Sequence, residues 1–172
     1  KYWGEQQTRL YNELYGLPTT SIRFFSVYGS PQTPKKGSHS WAVAIFAMLA
    51  KKGKPITVFG DGNQIRDFTH VSDIAESVVR SIDKDITNGK ILNSGTGRPT
   101  TVNDIVKYVF ENIDEVPIEY KPYPKGDPLG GYADITLMEK YLDWKPEITL
   151  ENGIKEYFEW LSNHEHLVPE WI

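Results

Sequence analysis

The sequence contains no cysteine, which excludes disulfide bonds and thiolate chemistry from any account of its stability or function. It also lacks an apolar run long enough to span a bilayer, since the best stretch covers only residues 41–50. No basic leader with an apolar core is visible, so secretion is not indicated. We therefore expect a cytoplasmic protein with no membrane partner.

Neither sign of charge is in large excess. Lysine and arginine number 19 against 23 aspartate and glutamate residues, which gives a net charge of −4. This balance argues against nucleic acid as the main partner. The 172 residues are 39% hydrophobic and 13% aromatic, a composition typical of one folded domain of ordinary size.

The G-x-G-x-x-G motif of dinucleotide-binding proteins is absent as well. Two shorter glycine pairs occur at 60–62 and 95–97, but the third glycine is missing from both. We interpret both segments as turns and not as phosphate-binding loops.

Helical and extended patterns alternate along the chain. Apolar residues recur at helical spacing, most clearly over 71–82, and β-branched and aromatic residues cluster between the helical segments. The patterns predict helices over 1–16, 42–51, 71–82, 101–110, 134–142 and 149–161, and strands over 19–27, 55–59, 66–70, 90–93 and 116–120. This order indicates an α/β protein with a mostly parallel sheet.

Clusters of histidine and carboxylate need an interpretation of their own. Asp67, His70 and Asp73 suggest a metal site or a catalytic triad, but no serine or cysteine nucleophile motif accompanies them. Structural roles, as capping and paired groups, are therefore expected for all three. His164 and His166 are interpreted as part of a solvated tail, and no metal site is expected.

The longest specific pattern covers residues 58–75 and reads V-F-G-D-G-N-Q-I-R-D-F-T-H-V-S-D-I-A. Two weaker patterns accompany it: I-R-F-F-S-V-Y-G at 22–29, and P-K-G-D-P at 124–128 with Y-A-D after it. An amphipathic helix beginning at Lys1 precedes them all. In this order, the segments resemble the second half of an extended short-chain dehydrogenase/reductase, in the family of NAD-dependent nucleotide-sugar epimerases and dehydratases.

The resemblance implies a fold: the C-terminal part of a Rossmann-type NAD-binding fold plus the smaller α/β substrate-binding domain. Residues 1–38 would end the Rossmann domain, and residues 39–172 would form the substrate-binding region, with strands returning to the main sheet. NAD would be bound mainly by the half of the family fold that precedes Lys1, where the glycine-rich loop belongs.

The resemblance also implies a catalytic role for Lys1. The family carries Tyr-x-x-x-Lys on this helix, and residues four apart share one helical face. An ammonium beside a phenol favours the phenolate, which makes the tyrosine a usable base near neutral pH. Lys1 would also bind the cofactor at the nicotinamide ribose, and Phe25 and Val27 would pack on the nicotinamide side.

Substrate-binding positions follow from the same resemblance. Arg66 matches an arginine that binds the diphosphate of nucleotide-sugar relatives, a task suited to the paired donors of a guanidinium. Ser26 stands where the family has an asparagine, and it keeps a single hydroxyl for the substrate. Trp41 falls in the segment that packs against the nucleotide base.

The third pattern departs from the family at one charged position. Asp127 is retained where the family acid binds the nucleotide ribose, but Pro124 replaces the arginine that accompanies it. Lys125 is a candidate for the lost charge, as a point cation without the arginine fork.

The implied function is part of an NAD-dependent nucleotide-sugar epimerase that oxidises a UDP-sugar transiently at C4. UDP-glucose and UDP-glucuronate are the first candidates for the substrate, and a homodimer is expected for the full-length enzyme. A dehydratase or decarboxylase of the same family is an alternative, and a non-catalytic nucleotide- or protein-binding module is another. The 172-residue chain alone is expected to be inactive.

Overall fold

The computed structural model describes residues 1–37, 41–82, 84–126 and 130–172. In this part of the chain helices and strands alternate, as the sequence predicts. The helices are α1 (Tyr2–Tyr15), α2 (Ala42–Lys51), α3 (Val71–Ile82), α4 (Val102–Phe110), α5 (Thr136–Leu142) and α6 (Leu150–Asn163). The strands are β1 (Thr20–Phe24), β2 (Ser26–Tyr28), β3 (Ile56–Phe59), β4 (Ile65–Arg66), β5 (Phe68–His70), β6 (Lys90–Ser94), β7 (Thr100–Thr101) and β8 (Ile118–Lys121).

The strands pair in four two-stranded ladders, β1 with β6, β2 with β5, β3 with β8 and β4 with β7. The first three ladders are parallel and the β4–β7 ladder is antiparallel. Parallel ladders joined through helices define the α/β class, which confirms the predicted fold class.

The single strand predicted over 19–27 is wrong in one respect. The chain forms two strands there, because it leaves the ladder with β6 after Phe24 and joins β5 from Ser26 onwards. Phe25 lies between them, and its N–H still donates to the Ser94 carbonyl at 3.2 Å. The β-branched and aromatic composition predicts extended backbone but not a change of partner.

The main core lies where α2, α4 and α6 pack on β3. Its members share apolar side chains at helical or strand spacing and are almost fully buried, and they include Ala44, Ala47, Met48, Ile56, Ile105, Val109, Ile154, Tyr157 and Leu161. Tyr28 at the end of β2 joins this core, so the strand that carries the 26–28 segment is anchored to it. A second, smaller core joins Leu92 of β6 to α5, and Trp144 packs partly buried against it.

The helix α1 is attached to β1 by polar contacts. Arg23 donates to both carboxylate oxygens of Glu5, at 2.8 and 2.6 Å, and the Thr8 and Ser21 hydroxyls are 2.9 Å apart. No residue of α1 is buried, and the side chain of Trp3, on its predicted apolar stripe, is 76% exposed.

A buried carboxylate, Asp67, separates β4 from β5 and organises the loops around it. Asp67 is 1% exposed and accepts hydrogen bonds from the backbone N–H groups of Thr96, Gly97 and Ala133, at 2.8, 2.9 and 3.1 Å. The hydroxyls of Thr96 and Thr69 donate to it as well, at 2.7 and 3.3 Å. Five donors on one carboxylate join three segments that are distant in sequence.

This network confirms the interpretation of residues 95–97 as a turn. A phosphate bound here would need the backbone N–H groups of Thr96 and Gly97 as donors. Both already donate hydrogen bonds to Asp67. A Cβ atom added at Gly95 would lie 2.7 Å from an Asp67 oxygen, so glycine allows the backbone to approach the carboxylate closely.

Asp73 and His70 also have structural contacts. Asp73 lies in the first turn of α3, where a carboxylate is expected, and it also accepts from Glu147 N and Ile148 N at 3.2 and 3.1 Å, which fixes the loop before α6. His70 is 1% exposed and its Nδ1 accepts from Ser72 N at 3.3 Å.

Along the described ranges, no helix is both long and apolar enough to cross a membrane.

We expect Asp67→Asn to lower the free energy of unfolding by about 3 kcal/mol, because one oxygen becomes an amide that faces two buried N–H donors. Asp73→Asn is the matched control and should lose about 1 kcal/mol, since a single donor is left without its acceptor. Urea unfolding followed by circular dichroism measures both. Equal losses of unfolding free energy in the two variants would show that the Asp67 hydrogen bonds stabilise the fold no more than those of Asp73.

Candidate functional site

One cavity of about 840 Å³ lies between the 26–28 strand, the start of α2 and the carboxyl ends of β3 and β8. Its size falls in the range of small-molecule sites. The walls are largely apolar and contain a few polar groups, and the lining side chains include Val43, Ile45, Phe46, Leu49, Thr57, Phe59, Phe68 and Val102. Ligands of parallel α/β sheets bind at the carboxyl ends of strands, so this location suits a binding site.

Four of the residues singled out by the resemblance line this cavity together: Ser26, Val27, Trp41 and Arg66. They come from three separate segments of the chain. Ser26 and Val27 are brought in by β2, whose parallel register places Ser26 opposite Phe68.

Arg66 is held at the end of β4, opposite Thr100 in the antiparallel ladder with β7. It is half-buried, and its Nη1 donates to the Ile65 carbonyl at 2.8 Å. The next residue is the buried Asp67, so the backbone on which the guanidinium stands is fixed by the hydrogen-bond network described above. Arg66 therefore presents its charge to the cavity from a rigid support.

Trp41 lines the cavity and has an unusual backbone conformation. It precedes α2 as its N-cap, with φ of 75°, in the left-handed region that L-residues rarely adopt. Its carbonyl accepts from Ile45 N at 3.0 Å, and its side chain makes no capping hydrogen bond to the first turn. Strained conformations of this kind concentrate at functional sites.

Two glutamines line the cavity that the sequence patterns do not single out. Gln32 donates to the Val27 carbonyl at 3.2 Å, and Gln64 donates to the Phe59 carbonyl at 2.9 Å. The Oε1 atom of each is buried and accepts no hydrogen bond within the described residues. The position of Gln64 inside the 58–75 motif could have indicated it, whereas nothing in the sequence around Gln32 does.

The described lining of the cavity contains few ionisable groups. Among the described lining residues the ionisable groups are Tyr28, Arg66 and Lys121, and no carboxylate is present. Burial raises the pKa of Tyr28, and the nearby charges of Asp73 and Glu156 raise it further, so this phenol stays neutral. The described lining therefore carries positive charge from two side chains.

Two predicted site residues, Lys1 and Phe25, are not part of the described lining of the cavity. Asp127 falls outside the described residues. Lys1 is exposed at the start of α1, and Phe25 is half-buried after β1. Because the Arg23–Glu5 pair ties the end of β1 to the first turns of α1, Lys1 and Phe25 are at the same end of this helix–strand unit.

The structure does not place Lys125, the candidate for the lost charge, in the described lining of the cavity. Pro124 does line the cavity, as the alignment of the motif implied, but Lys125 is exposed and outside its lining. Lys121, three residues before Pro124, lines the cavity in its place.

The fit of the chain to NAD is partial. The nicotinamide side expected from Phe25 and Val27 is apolar and stands next to the cavity. The two glycine turns do not suit a pyrophosphate, since the 95–97 amides bind Asp67 and Asn103 fills the space beside Gly62. In the described ranges the chain fits the nicotinamide end of the cofactor better than its phosphates.

Comparison with known proteins agrees with this geometry. Residues 1–95 match the model of the NAD dependent epimerase/dehydratase family. A putative UDP-glucose 4-epimerase of Methanocaldococcus jannaschii is 38% identical over 95% of this chain and 52% of its own length.

Two solved structures are similar in both sequence and fold. A UDP-glucose 4-epimerase of Thermotoga maritima with UDP-glucose has a TM-score of 0.86 at 33% identity, over 95% of this chain and 52% of that one. A UDP-glucuronic acid 4-epimerase of Bacillus cereus, in complex with UDP-glucuronic acid and NAD, has a TM-score of 0.85 at 25% identity, over 95% and 51%.

The chain spans about half the length of the relatives it matches. The match to the family model covers more than half of its 172 residues. The chain belongs to the NAD-dependent epimerase/dehydratase family.

Proposed function

We propose that this chain is the substrate-binding half of an NAD-dependent nucleotide-sugar 4-epimerase that acts on a UDP-sugar, with UDP-glucose or UDP-glucuronate as first candidates. The observation that carries the proposal is the cavity that gathers Ser26, Trp41 and Arg66 from three segments of the chain. A nucleoside diphosphate sugar has a planar aromatic base, a doubly charged linker and a polar sugar, for which Trp41, Arg66 and Ser26 are the respective candidates.

In this proposal Arg66 binds the diphosphate through its paired N–H donors and fixes the sugar relative to the rest of the site. The Ser26 hydroxyl donates to the substrate near the reacting sugar, and Trp41 covers the base. Asp127 is assigned to the nucleotide ribose. These contacts orient the sugar, which is the contribution that this half makes to the rate.

Proton transfer is assigned to the start of α1. Lys1 stabilises the phenolate of a tyrosine in the Tyr-x-x-x-Lys arrangement, and that phenolate removes the proton of the C4 hydroxyl. NAD, when bound, would take the hydrogen of C4 as hydride and return it to the opposite face of the resulting 4-ketone, which gives the 4-epimer, and Phe25 and Val27 would pack on its nicotinamide side.

The exposed apolar face of α1 agrees with a homodimer of the whole enzyme. Trp3, Leu14 and Tyr15 are 76%, 63% and 73% exposed, which is much apolar surface for one helix to leave in water. We assign this face to contacts with the rest of the enzyme and with a second copy.

Arg66→Met should weaken the binding of UDP to this chain about tenfold or more, because charge-assisted contacts to phosphate are lost. Arg98→Met is the matched control, since Arg98 is exposed and outside the cavity. Titration calorimetry with UDP measures both, and thermal unfolding verifies that each variant is folded. Failure of the unmodified chain to bind UDP would contradict the proposal.

The chain by itself should bind NAD no more tightly than millimolar concentrations and should not convert UDP-glucose to UDP-galactose. The physical reason is that its described residues present no free pyrophosphate loop. Calorimetry with NAD, on a sample whose intact mass matches 172 residues, provides the measurement. Micromolar affinity for NAD would contradict the proposal that this chain is the substrate-binding half. Release of carbon dioxide from UDP-glucuronate by the whole enzyme would instead favour a decarboxylase.

A further inference from the structure

Gln32 is held at the cavity wall by hydrogen bonds of both its backbone and its side chain. Its N–H donates to the Gly29 carbonyl at 3.0 Å, which closes a turn over residues 29–32. Its carbonyl accepts from the hydroxyl of Tyr157 at 2.6 Å. Its side-chain Nε2 donates to the Val27 carbonyl at 3.2 Å. Gln32 therefore joins α6, the 29–32 turn and the strand β2.

The hydroxyl of Tyr157 is a donor that comes from the main core. Tyr157 lies on α6 and is buried among the apolar side chains of that core. Burial raises the pKa of its phenol, so the hydroxyl remains protonated at neutral pH and keeps its proton to donate. The backbone of Gln32 is thus attached to the core and not only to its own turn.

The orientation of the Gln32 amide follows from its partner. A backbone carbonyl accepts but cannot donate, so the amide atom 3.2 Å from the Val27 oxygen is the nitrogen. The other amide atom, Oε1, is buried and accepts no hydrogen bond within the described residues. A buried acceptor without a partner costs stability, which an apolar side chain of similar length would avoid. Stability alone therefore does not account for an amide at this position.

Val27 belongs to a strand with little other support. β2 has three residues, and within the described ranges it pairs with β5 alone. Ser26 and Val27 both line the cavity. Because Ser26 is the residue before Val27, a hydrogen bond that holds the Val27 carbonyl also limits the movement of the backbone from which the Ser26 side chain projects.

We propose that Gln32 is a positioning residue for the sugar: it links Tyr157 to Val27 and so holds the wall formed by Ser26 and Val27 in place for the sugar hydroxyls. The inference rests on the proposed function, in which Ser26 binds the substrate near the reacting sugar. Gln32 acts through this wall and needs no contact with the ligand. The contribution of the sugar to binding therefore depends on Gln32, whereas the contributions of the base and the diphosphate do not.

The test uses Gln32→Met and Tyr157→Phe in the 172-residue chain, with UDP and UDP-glucose as probes in titration calorimetry. Gln32→Met removes the amide donor, and Tyr157→Phe removes a single hydroxyl while keeping the buried ring. The Kd for UDP-glucose should rise about fivefold in Gln32→Met and about threefold in Tyr157→Phe, as expected for the loss of one neutral hydrogen bond. The Kd for UDP should change by less than about twofold in both variants.

Gln7→Met and Tyr108→Phe are the matched controls. Gln7 is exposed on α1, and Tyr108 packs against the same core as Tyr157 but is not in the described lining of the cavity. Neither control should change the ratio of the two Kd values. Thermal unfolding verifies that every variant is folded. A lower melting temperature of Gln32→Met and Tyr157→Phe with an unchanged Kd ratio would show that the two residues only stabilise the fold, and would overturn the inference.

Two further outcomes would overturn the role of Gln32 and leave the proposed function supported by UDP binding. One is an equal loss of UDP and UDP-glucose affinity in the variants. The other is an unmodified chain that binds UDP-glucose and UDP with the same Kd, because the wall would then make no contact with the sugar. No binding of UDP by the unmodified chain would overturn both the role of Gln32 and the proposed function.

Discussion

The buried carboxylate of Asp67 is the constraint on which the arrangement of this chain depends. It gathers N–H and O–H groups from β5, from the 95–97 turn and from the start of the 133–142 segment. A buried charge is tolerated only when donors surround it, so these segments cannot separate without leaving the carboxylate unsatisfied. Arg66 is the residue before Asp67. The hydrogen bonds of Asp67 therefore fix the backbone of a cavity residue, although Asp67 itself does not line the cavity.

Much of this organisation could be predicted from residue patterns. Amphipathic spacing predicts α3, α4 and α6 almost to the residue. The resemblance of the 58–75 motif to the family singles out Arg66, which lines the cavity. The change of strand partner at Phe25 could not be predicted, because both sides of the break have the composition of a strand. Patterns report local conformation and burial, whereas the choice of partner is decided by residues far away in sequence.

The charge of the cavity shows a second limit. A motif aligns residues by order, so it directs attention to Lys125 beside Pro124. The structure instead brings Lys121 to the cavity, because the end of a strand and not the count from a motif sets which side chain faces inward. Gln32 could not be found from the sequence, because its contact is a hydrogen bond to the Val27 carbonyl and no pattern surrounds it.

The ladders have an unused side. β1 and β6 pair with each other, and in the described ranges neither has a second strand along its other edge. An uncovered edge presents a row of backbone N–H and C=O groups that can template another strand. For this chain it means that an extended segment from another molecule can pair with the edges of β1 and β6, which favours β-sheet aggregation.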